Sequence, residues 1–232
     1  MPLVSFNVNP AHAQITEIVR GLFVCGVSSL TAENMKKYNI SFIVNTTREV
    51  PNVHSLGIIP RVKLWLEDTP QASLYPLLDQ ETDQIETVIT SGGNVLVHSV
   101  AGISRSAAIS LAFLTKFRCK SLRRAYQLMA EKLPVVRPNI GFWRQLILYE
   151  QDVKQSVGTV QIVRDKTYPD QLIPDVYLDL EVVPRKFSFT RDADEDENGY
   201  NFRGTRNRRN SGDKLKFRPV LEPVLECVEV VA

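Results

Sequence analysis

Short apolar runs mark the strands of a predicted sheet in the first two-thirds of the chain. Some runs are continuously apolar and others alternate apolar with polar residues, as expected for fully buried and half-covered strands. The predicted strands cover residues 22–25, 40–45, 62–66 and 94–98. Segments with helical spacing lie between and after them. This alternation predicts an α/β fold whose sheet is covered by helices on both faces.

Polar residues that can cap helices stand in front of several apolar-periodic segments. Ser29 or Thr31 is placed to cap a short helix that ends at Lys37, and Ser121 and Asn139 are placed to cap two later helices. The remaining predicted helices are one with Leu78, Ile85, Val88 and Ile89 on one face, ending near Gly92, and one over residues 105–117. The helix over residues 105–117 is apolar nearly all round, which predicts that it is buried.

The alternation of strand-like and helix-like segments ends near residue 158, and this change suggests the domain organisation. An acidic run at residues 192–197 is followed by residues 203–218, which hold seven basic residues and one acidic residue. Charge blocks with few apolar residues favour disorder. The predicted parts are an N-terminal arm at residues 1–15, a domain at 16–158, an extension packed on it at 159–182 and a largely disordered tail at 183–232.

Composition narrows the class of protein. Apolar residues make up 44% of the chain, charged residues 23%, and the net charge is +2, which suits a globular protein without a global attraction to nucleic acid or membranes. The three cysteines, Cys25, Cys119 and Cys227, are far apart, so reduced thiols are expected rather than disulfides or a zinc site. With no secretory signal or membrane-spanning run, we expect a cytoplasmic protein, and a nuclear location is also compatible.

The segment over residues 95–108 combines a strand, a loop and a helix start in a layout that favours an anion. Backbone N–H groups of residues 100–105 can curl around one centre, and the start of the following helix adds partial positive charge. Gly102 permits backbone angles that other residues resist. Arg105 can donate two parallel hydrogen bonds to a phosphate. These features predict a phosphate cradle that needs no metal.

The same segment resembles the protein tyrosine phosphatase signature in its dual-specificity form, His-Cys-x-Ala-Gly-x-Ser-Arg-Ser. Residues 98–106 match it at every fixed position except one, because Ser99 stands in place of the cysteine. Further similarity lies at residues 66–70 (the family's general-acid loop), 137–143 (its late helix start) and 173–177 (the extension of a small atypical subgroup). In all, the resemblance covers roughly residues 18–180. It implies the phosphatase fold, with a mainly parallel or mixed central sheet of about five strands and helices on both faces.

The resemblance also implies roles for individual residues. Arg105 would hold the phosphate together with the loop amides, which belong to Val100, Ala101, Gly102, Ile103, Ser104 and Arg105. Asp68, 31 residues before Ser99, would protonate the leaving oxygen and then deprotonate the attacking water. Ser106 would assist departure of the nucleophile. From the sequence alone, Asp68 before Thr-Pro is also compatible with a simple turn residue.

Two further residues would support the loop. His98 would order it through backbone contacts and help to depress the pKa of the family's cysteine. Asn139 would brace it, and it also suits the N-cap of the last helix, so it can have either role or both. The family implies no metal and no cofactor.

Ser99 is the departure with the largest chemical consequence. A cysteine at a helix N-terminus can have a pKa of ~3.5–7.5. A hydroxyl titrates near the value of water, about 15.7, so a serine nucleophile needs an adjacent base or a metal. The resemblance places Asp68 on the opposite side of the phosphoryl group and turns His98 into the loop backbone. We therefore expect binding of proteins phosphorylated on tyrosine, threonine or serine, kinases and other signalling proteins among them, with little or no hydrolysis.

Two other interpretations remain open. The chain can be an active dual-specificity phosphatase, reacting through a cysteinyl-phosphate, whose natural cysteine has been changed to Ser99 to trap substrate. The natural coding sequence at position 99 distinguishes these cases. Alternatively, the cradle binds a phosphorylated lipid, sugar or nucleic acid. That alternative predicts a basic rim, whereas the flanking residues Leu66, Glu67, Val100 and Ile103 are not basic. The oligomeric state is left open.

Overall fold

A mixed five-stranded sheet forms the centre of the chain. The structure is a computed structural model that describes residues 13–52 and 54–178. The strands are β1 (Thr16–Val19), β2 (Leu22–Cys25), β3 (Phe42–Thr47), β4 (Arg61–Leu66) and β5 (Val95–His98). Their order in the sheet is β1-β2-β5-β3-β4, with β1 antiparallel to β2 and the other neighbours parallel. The carboxyl ends of four parallel strands therefore lie at one edge, where ligand sites of α/β folds form.

Helices cover both faces of this sheet, which confirms the predicted fold class. They are α1 (Ala32–Lys37), α2 (Tyr75–Thr90), α3 (Arg105–Phe113), α4 (Leu122–Lys132) and α5 (Ile140–Lys154), and a π-helical turn (Leu114–Arg118) continues α3. Thr31, Ser121 and Asn139 cap α1, α4 and α5 as predicted, each accepting a hydrogen bond from a backbone N–H in the first turn. Within the described residues, no helix combines the length and apolar character needed to cross a membrane.

The alternation of side chains along the strands creates two cores. Val24, Val44 and Val97 face the larger core, which α2 to α5 cover, and α3 is buried along its whole length. The intervening residues, among them Leu96, face a smaller core. Met35 of α1 covers that second face. The fully apolar strands follow from this arrangement, because both of their faces are shielded from water.

Two strand predictions differ from the structure. The strand predicted at residues 40–45 begins and ends two residues later, at Phe42–Thr47. Strand β1 was not predicted. Of its four residues only Ile18 is buried, and its register with β2 shifts between Glu17 and Val19, so no regular pattern marks it. The predicted tail and most of the predicted N-terminal arm lie outside the described residues.

The segment after α5 folds back onto the domain. It forms a hairpin of β6 (Ile162–Arg164) and β7 (Leu172–Pro174), followed by a 3₁₀ turn (Asp175–Tyr177). Arg123 of α4 forms an ion pair of 2.6 Å with Asp175. The buried carboxylate of Glu150 accepts hydrogen bonds from the backbone N–H groups of Leu122 and Thr159 at 2.6 and 2.7 Å. A partly exposed ion pair and the buried Glu150 carboxylate thus hold this segment in place.

Candidate phosphate-binding site

The loop between β5 and α3 lies at the carboxyl edge of the sheet and is pinned by the end of β2. The Ser99 N–H donates to the Cys25 carbonyl at 3.3 Å, and the Val27 N–H donates to the Val100 carbonyl at 3.0 Å. Gly102 has a φ of +81°, and a Cβ atom there would lie 2.8 Å from the backbone of Cys25. Glycine is therefore required for both its conformation and the close approach of the two segments.

Most amide groups of this loop are unpaired. In the described part of the chain, the N–H groups of Val100, Ala101, Ile103 and Ser104 have no protein acceptor, and no side chain caps α3. The Gly102 N–H is the exception, because it donates to Ser99 Oγ. Unpaired N–H groups in front of a helix form an environment that favours anions.

Ser99 is buried at the base of this loop, with 2% of its surface exposed. Its Oγ lies 3.0 Å from Ser106 Oγ and accepts from the Gly102 N–H at 3.0 Å. Among the described residues, no carboxylate and no imidazole is hydrogen-bonded to this hydroxyl. In the same ranges, no group of three or more His, Cys, Asp or Glu side chains is arranged to hold a metal ion.

Arg105 is buried beside the loop, and its Nε–H donor has no hydrogen-bond partner. One of its terminal nitrogens, Nη1, donates to the Glu49 carboxylate at 2.8 Å and to the Leu66 carbonyl at 3.1 Å. Its Nε atom is buried without a hydrogen-bond partner and lies 3.6 Å from Asp68 Oδ2. Buried N–H groups are rarely left unsatisfied, so an arriving anion would supply the acceptor that is lacking here.

Asp68 connects its own loop, residues 66–70, to the loop between β5 and α3. Its Oδ1 accepts hydrogen bonds from Ser104 Oγ at 2.6 Å and from Asn139 Nδ2 at 2.9 Å. Asn139 also caps α5 through the Phe142 N–H, so the two alternatives left open for Asn139 hold together. The Asp68 side chain remains 38% exposed, so the carboxylate borders solvent as well as the loop.

The loop that carries Asp68 rests on α5. A Cβ atom at Gly141 would lie 2.0 Å from the Pro70 carbonyl oxygen, so the loop touches the bare helix backbone there. Gln145 donates to the Ala72 carbonyl at 2.9 Å, and its own oxygen accepts from the Leu74 N–H at 2.6 Å. These contacts fix the position of the loop on α5.

His98 is the last residue of β5 and is 3% exposed. The Thr46 hydroxyl donates to its backbone carbonyl at 2.8 Å, and its Nδ1 atom has no hydrogen-bond partner. Burial lowers the pKa of His98 to about 3, and the positive charge of Arg105 acts in the same direction. The imidazole is therefore neutral at physiological pH.

The structure thus brings together the site residues that were predicted, and adds two that were not. Asp68 contacts Ser104, Arg105 and Asn139, and Ser99 contacts Ser106. Glu49 and Gln145 were not predicted. Glu49 follows β3, the parallel neighbour of β5, and polar residues after neighbouring parallel strands converge at one edge, which is the signal that points to it. Gln145 lies on a helix face with no motif to mark it.

Comparisons with known proteins identify the family. Residues 22–152 match the family model described as "Dual specificity phosphatase, catalytic domain". Human "Dual specificity protein phosphatase 14" is 38% identical over 167 residues, which cover 70% of this chain and 80% of that protein.

Solved structures have the same fold. A mouse putative dual specificity phosphatase complexed with zinc tungstate is 31% identical, with a TM-score of 0.59, and the match covers 63% of this chain and 92% of that one. A human tyrosine phosphatase-like serine/threonine/tyrosine-interacting protein is 28% identical, with a TM-score of 0.56 and coverage of 60% and 96%. The chain therefore belongs to the dual specificity phosphatase family.

Proposed function

We propose that this chain is a pseudophosphatase: it binds proteins phosphorylated on tyrosine, threonine or serine and hydrolyses them poorly or not at all. The observation that carries the proposal is the position of Ser99. Its hydroxyl lies at the base of a fully formed cradle, and in the described residues its hydrogen-bond partners are the Ser106 hydroxyl and the Gly102 amide. Neither partner is a base of useful strength.

The unpaired donors of the cradle support the binding half of the proposal. The free amides of the loop and the unsatisfied Nε of Arg105 can together donate hydrogen bonds to the oxygens of a phosphate. The related mouse protein was solved with tungstate, which is a tetrahedral oxyanion like phosphate. The related human protein is described as phosphatase-like and as an interacting protein. By analogy, we expect this chain to bind phosphorylated signalling proteins, kinases among them, in the cytoplasm or nucleus.

The chemistry of the Ser99 hydroxyl supports the proposed lack of hydrolysis. When Ser99 Oγ attacks phosphorus, an O–P bond forms, the bond to the leaving oxygen breaks, and the hydroxyl proton must depart. Asp68 is the candidate donor to the leaving oxygen and has no contact with Ser99 through which to accept this proton. The pKa of a serine hydroxyl lies so far above 7 that even a shift of several units would leave almost none of it ionised at neutral pH.

The resemblance to the family suggests roles for the remaining residues. Arg105 would bind the phosphoryl group, Asp68 would act as general acid and Ser106 would stabilise a departing sulfur. Asn139 and His98 would support them. Turnover should therefore return when Ser99 is changed to cysteine, because a thiolate needs no base.

This expectation is tested by hydrolysis of a small aryl phosphate. We expect the chain to match the buffer background, and Ser99→Cys to be at least about a thousandfold more active, as nucleophile replacements generally are. Adding Asp68→Asn to Ser99→Cys should lower kcat by about 10²- to 10⁴-fold. Ser91→Cys, which adds a thiol at the exposed end of α2, is the matched control and should stay inactive. Rapid turnover by the unaltered chain, abolished by Asp68→Asn, would show that Ser99 is a competent nucleophile.

A further inference from the structure

Trp65 has a backbone conformation that a large aromatic residue rarely adopts. Its φ is +54°, in the left-handed region. The conformation arises at an irregularity of the sheet, where the pairing of β3 with β4 shifts between Asn45 and Thr47. The indole is also 63% exposed, so the strain is not offset by burial in a core. Strained residues of this kind concentrate at functional sites.

An apolar groove of about 460 Å³ opens beside this indole. Its apolar walls are formed by Leu64, Trp65, Leu66, Ala72, Pro76 and Leu77. An ion pair between Arg48 and Glu67 borders it. The groove lies between the end of β4 and the start of α2, so it flanks the loop that carries Asp68.

The groove and the phosphate cradle share Leu66. The side of the groove is formed in part by this residue, whose carbonyl accepts the 3.1 Å hydrogen bond from Arg105. Asp68 follows two residues later. A peptide in an extended conformation advances about 3.3 Å per residue. A side chain only a few residues away from a phosphorylated residue in the cradle can therefore reach the groove.

A positive charge beside the groove favours an acidic side chain in a bound partner. Lys63 Nζ lies 3.8 Å from the centre of the Trp65 ring, so it covers one face of the indole. Among the described residues Lys63 forms no ion pair, and the nearby Glu49 is paired with Arg105. A partner that brings a carboxylate next to its apolar side chain would complement this cation.

We propose that the Trp65 groove binds a segment of the phosphorylated partner protein that flanks the phosphorylated residue. The segment presents an apolar side chain to Trp65 and Leu77 and a neighbouring acidic side chain to Lys63. This inference rests on the proposed binding of phosphoproteins and adds a sequence preference to it. It assigns Trp65 as a specificity-determining residue, which explains why a strained, exposed indole is placed next to the general-acid loop.

The test compares phosphotyrosine peptides that differ only at the flanking positions, by calorimetry with the whole chain. One peptide carries leucine and glutamate at the positions two to four residues from the phosphotyrosine, and the other carries alanine there. We expect the first to bind about tenfold more tightly, because its leucine is buried in the groove and its carboxylate lies next to Lys63. Trp65→Asn should abolish this difference and leave binding of the alanine peptide unchanged. Asparagine tolerates a left-handed backbone, so this variant should stay folded.

Two further variants make the test independent of Trp65→Asn. Ser73→Trp places a bulky side chain in the groove from an exposed position and should also abolish the preference. Val157→Asn removes another exposed apolar side chain, distant in sequence from the groove, and should behave as the parent. If the parent binds both phosphopeptides equally, or if Ser73→Trp retains the preference, the groove inference is wrong. If the parent binds neither peptide, the proposed function itself fails.

Discussion

At position 99 the proposed function assigns a serine hydroxyl to the place of the family's sulfur nucleophile. Ser99 Oγ lies 3.0 Å from Ser106 Oγ and accepts a hydrogen bond from the Gly102 N–H. A serine hydroxyl is smaller than a thiolate and uncharged, so the repulsion between nucleophile and phosphate dianion is removed. On this account one substitution ends turnover and leaves the binding groups intact, which gives the cradle a use as a receptor for phosphate.

His98 provides a prediction on stability at the scale of one residue. Burial holds its folded-state pKa at about 3, below the ordinary value of 6.5. Between these values the unfolded chain binds one proton more, so the free energy of unfolding falls as pH falls below ~6.5. From pH 7 to pH 5 this group alone should lower it by about 2 kcal/mol. Urea denaturation of the chain and of His98→Gln at both pH values measures the effect.

Carboxylates of both proteins also titrate in this range. The informative quantity is therefore the difference between the parent and His98→Gln in the loss of unfolding free energy from pH 7 to pH 5. The parent should lose about 2 kcal/mol more than His98→Gln does on acidification. Equal losses would mean that His98 accepts a proton in the folded state, and that the imidazole is not shielded by the sheet.

Single residues differed in how far the sequence could predict them. Asp68, Arg105 and Asn139 were predicted through motifs, and the structure brings them into contact. Glu49, which pairs with Arg105, has no motif, because its partner is 56 residues away and only the strand order places the two side by side. The unusual backbone of Trp65 follows from a register shift between two strands, which is a tertiary event that local patterns do not encode.

At the scale of elements, the contact between the general-acid loop and α5 controls where Asp68 lies. Gly141 has no side chain, and this lets Pro70 rest on the helix backbone. Gln145, one turn later, accepts from the Leu74 and Tyr75 N–H groups and fixes the start of α2. Helix α5 thus holds the loop at two points, and Asn139 at its N-terminus provides a third.

Gly141→Ala is therefore expected to displace the loop. In the Ser99→Cys background, kcat for an aryl phosphate should fall by about a hundredfold, the range seen when a general acid is lost. Affinity of Gly141→Ala for free phosphate in the unaltered chain should fall much less than kcat, because neither the unpaired loop amides nor Arg105 contacts Gly141 or Pro70. Leu148→Ala, at an exposed position of the same helix, is the control and should leave kcat unchanged. Unaltered kcat in Gly141→Ala would show that the loop does not depend on α5.

Elements with strong periodicity were the ones predicted correctly. The helices with polar caps and the four parallel strands follow from patterns that burial on one or both faces imposes. The hairpin of β6 and β7 was predicted only as part of an extension packed on the domain, and β1 was not predicted. Both are short: β1 has four residues, of which only Ile18 is buried, and β6 and β7 have three residues each, so no regular apolar pattern marks them.

At the scale of the whole molecule, the segment after α5 is connected to the phosphate loop through side-chain contacts. Tyr177 accepts a hydrogen bond from Trp143 Nε1 at 2.8 Å, and the Arg137 guanidinium lies 4.9 Å from its ring. The Arg137 N–H donates in turn to the Ile103 carbonyl at 2.8 Å. The rim of the cradle is thus supported by the hairpin extension as well as by the sheet.

The central claim is that one pocket both binds a phosphorylated protein and leaves it intact. The most direct measurement is calorimetric titration of the unaltered chain with a phosphotyrosine peptide, followed by mass analysis of the same peptide after prolonged incubation. Arg105→Met, which removes the buried guanidinium, and the unphosphorylated peptide are the controls. The account predicts saturable binding that needs both Arg105 and the phosphate, with the peptide recovered fully phosphorylated. Binding that survives Arg105→Met, no binding at all, or release of phosphate by the chain would contradict it.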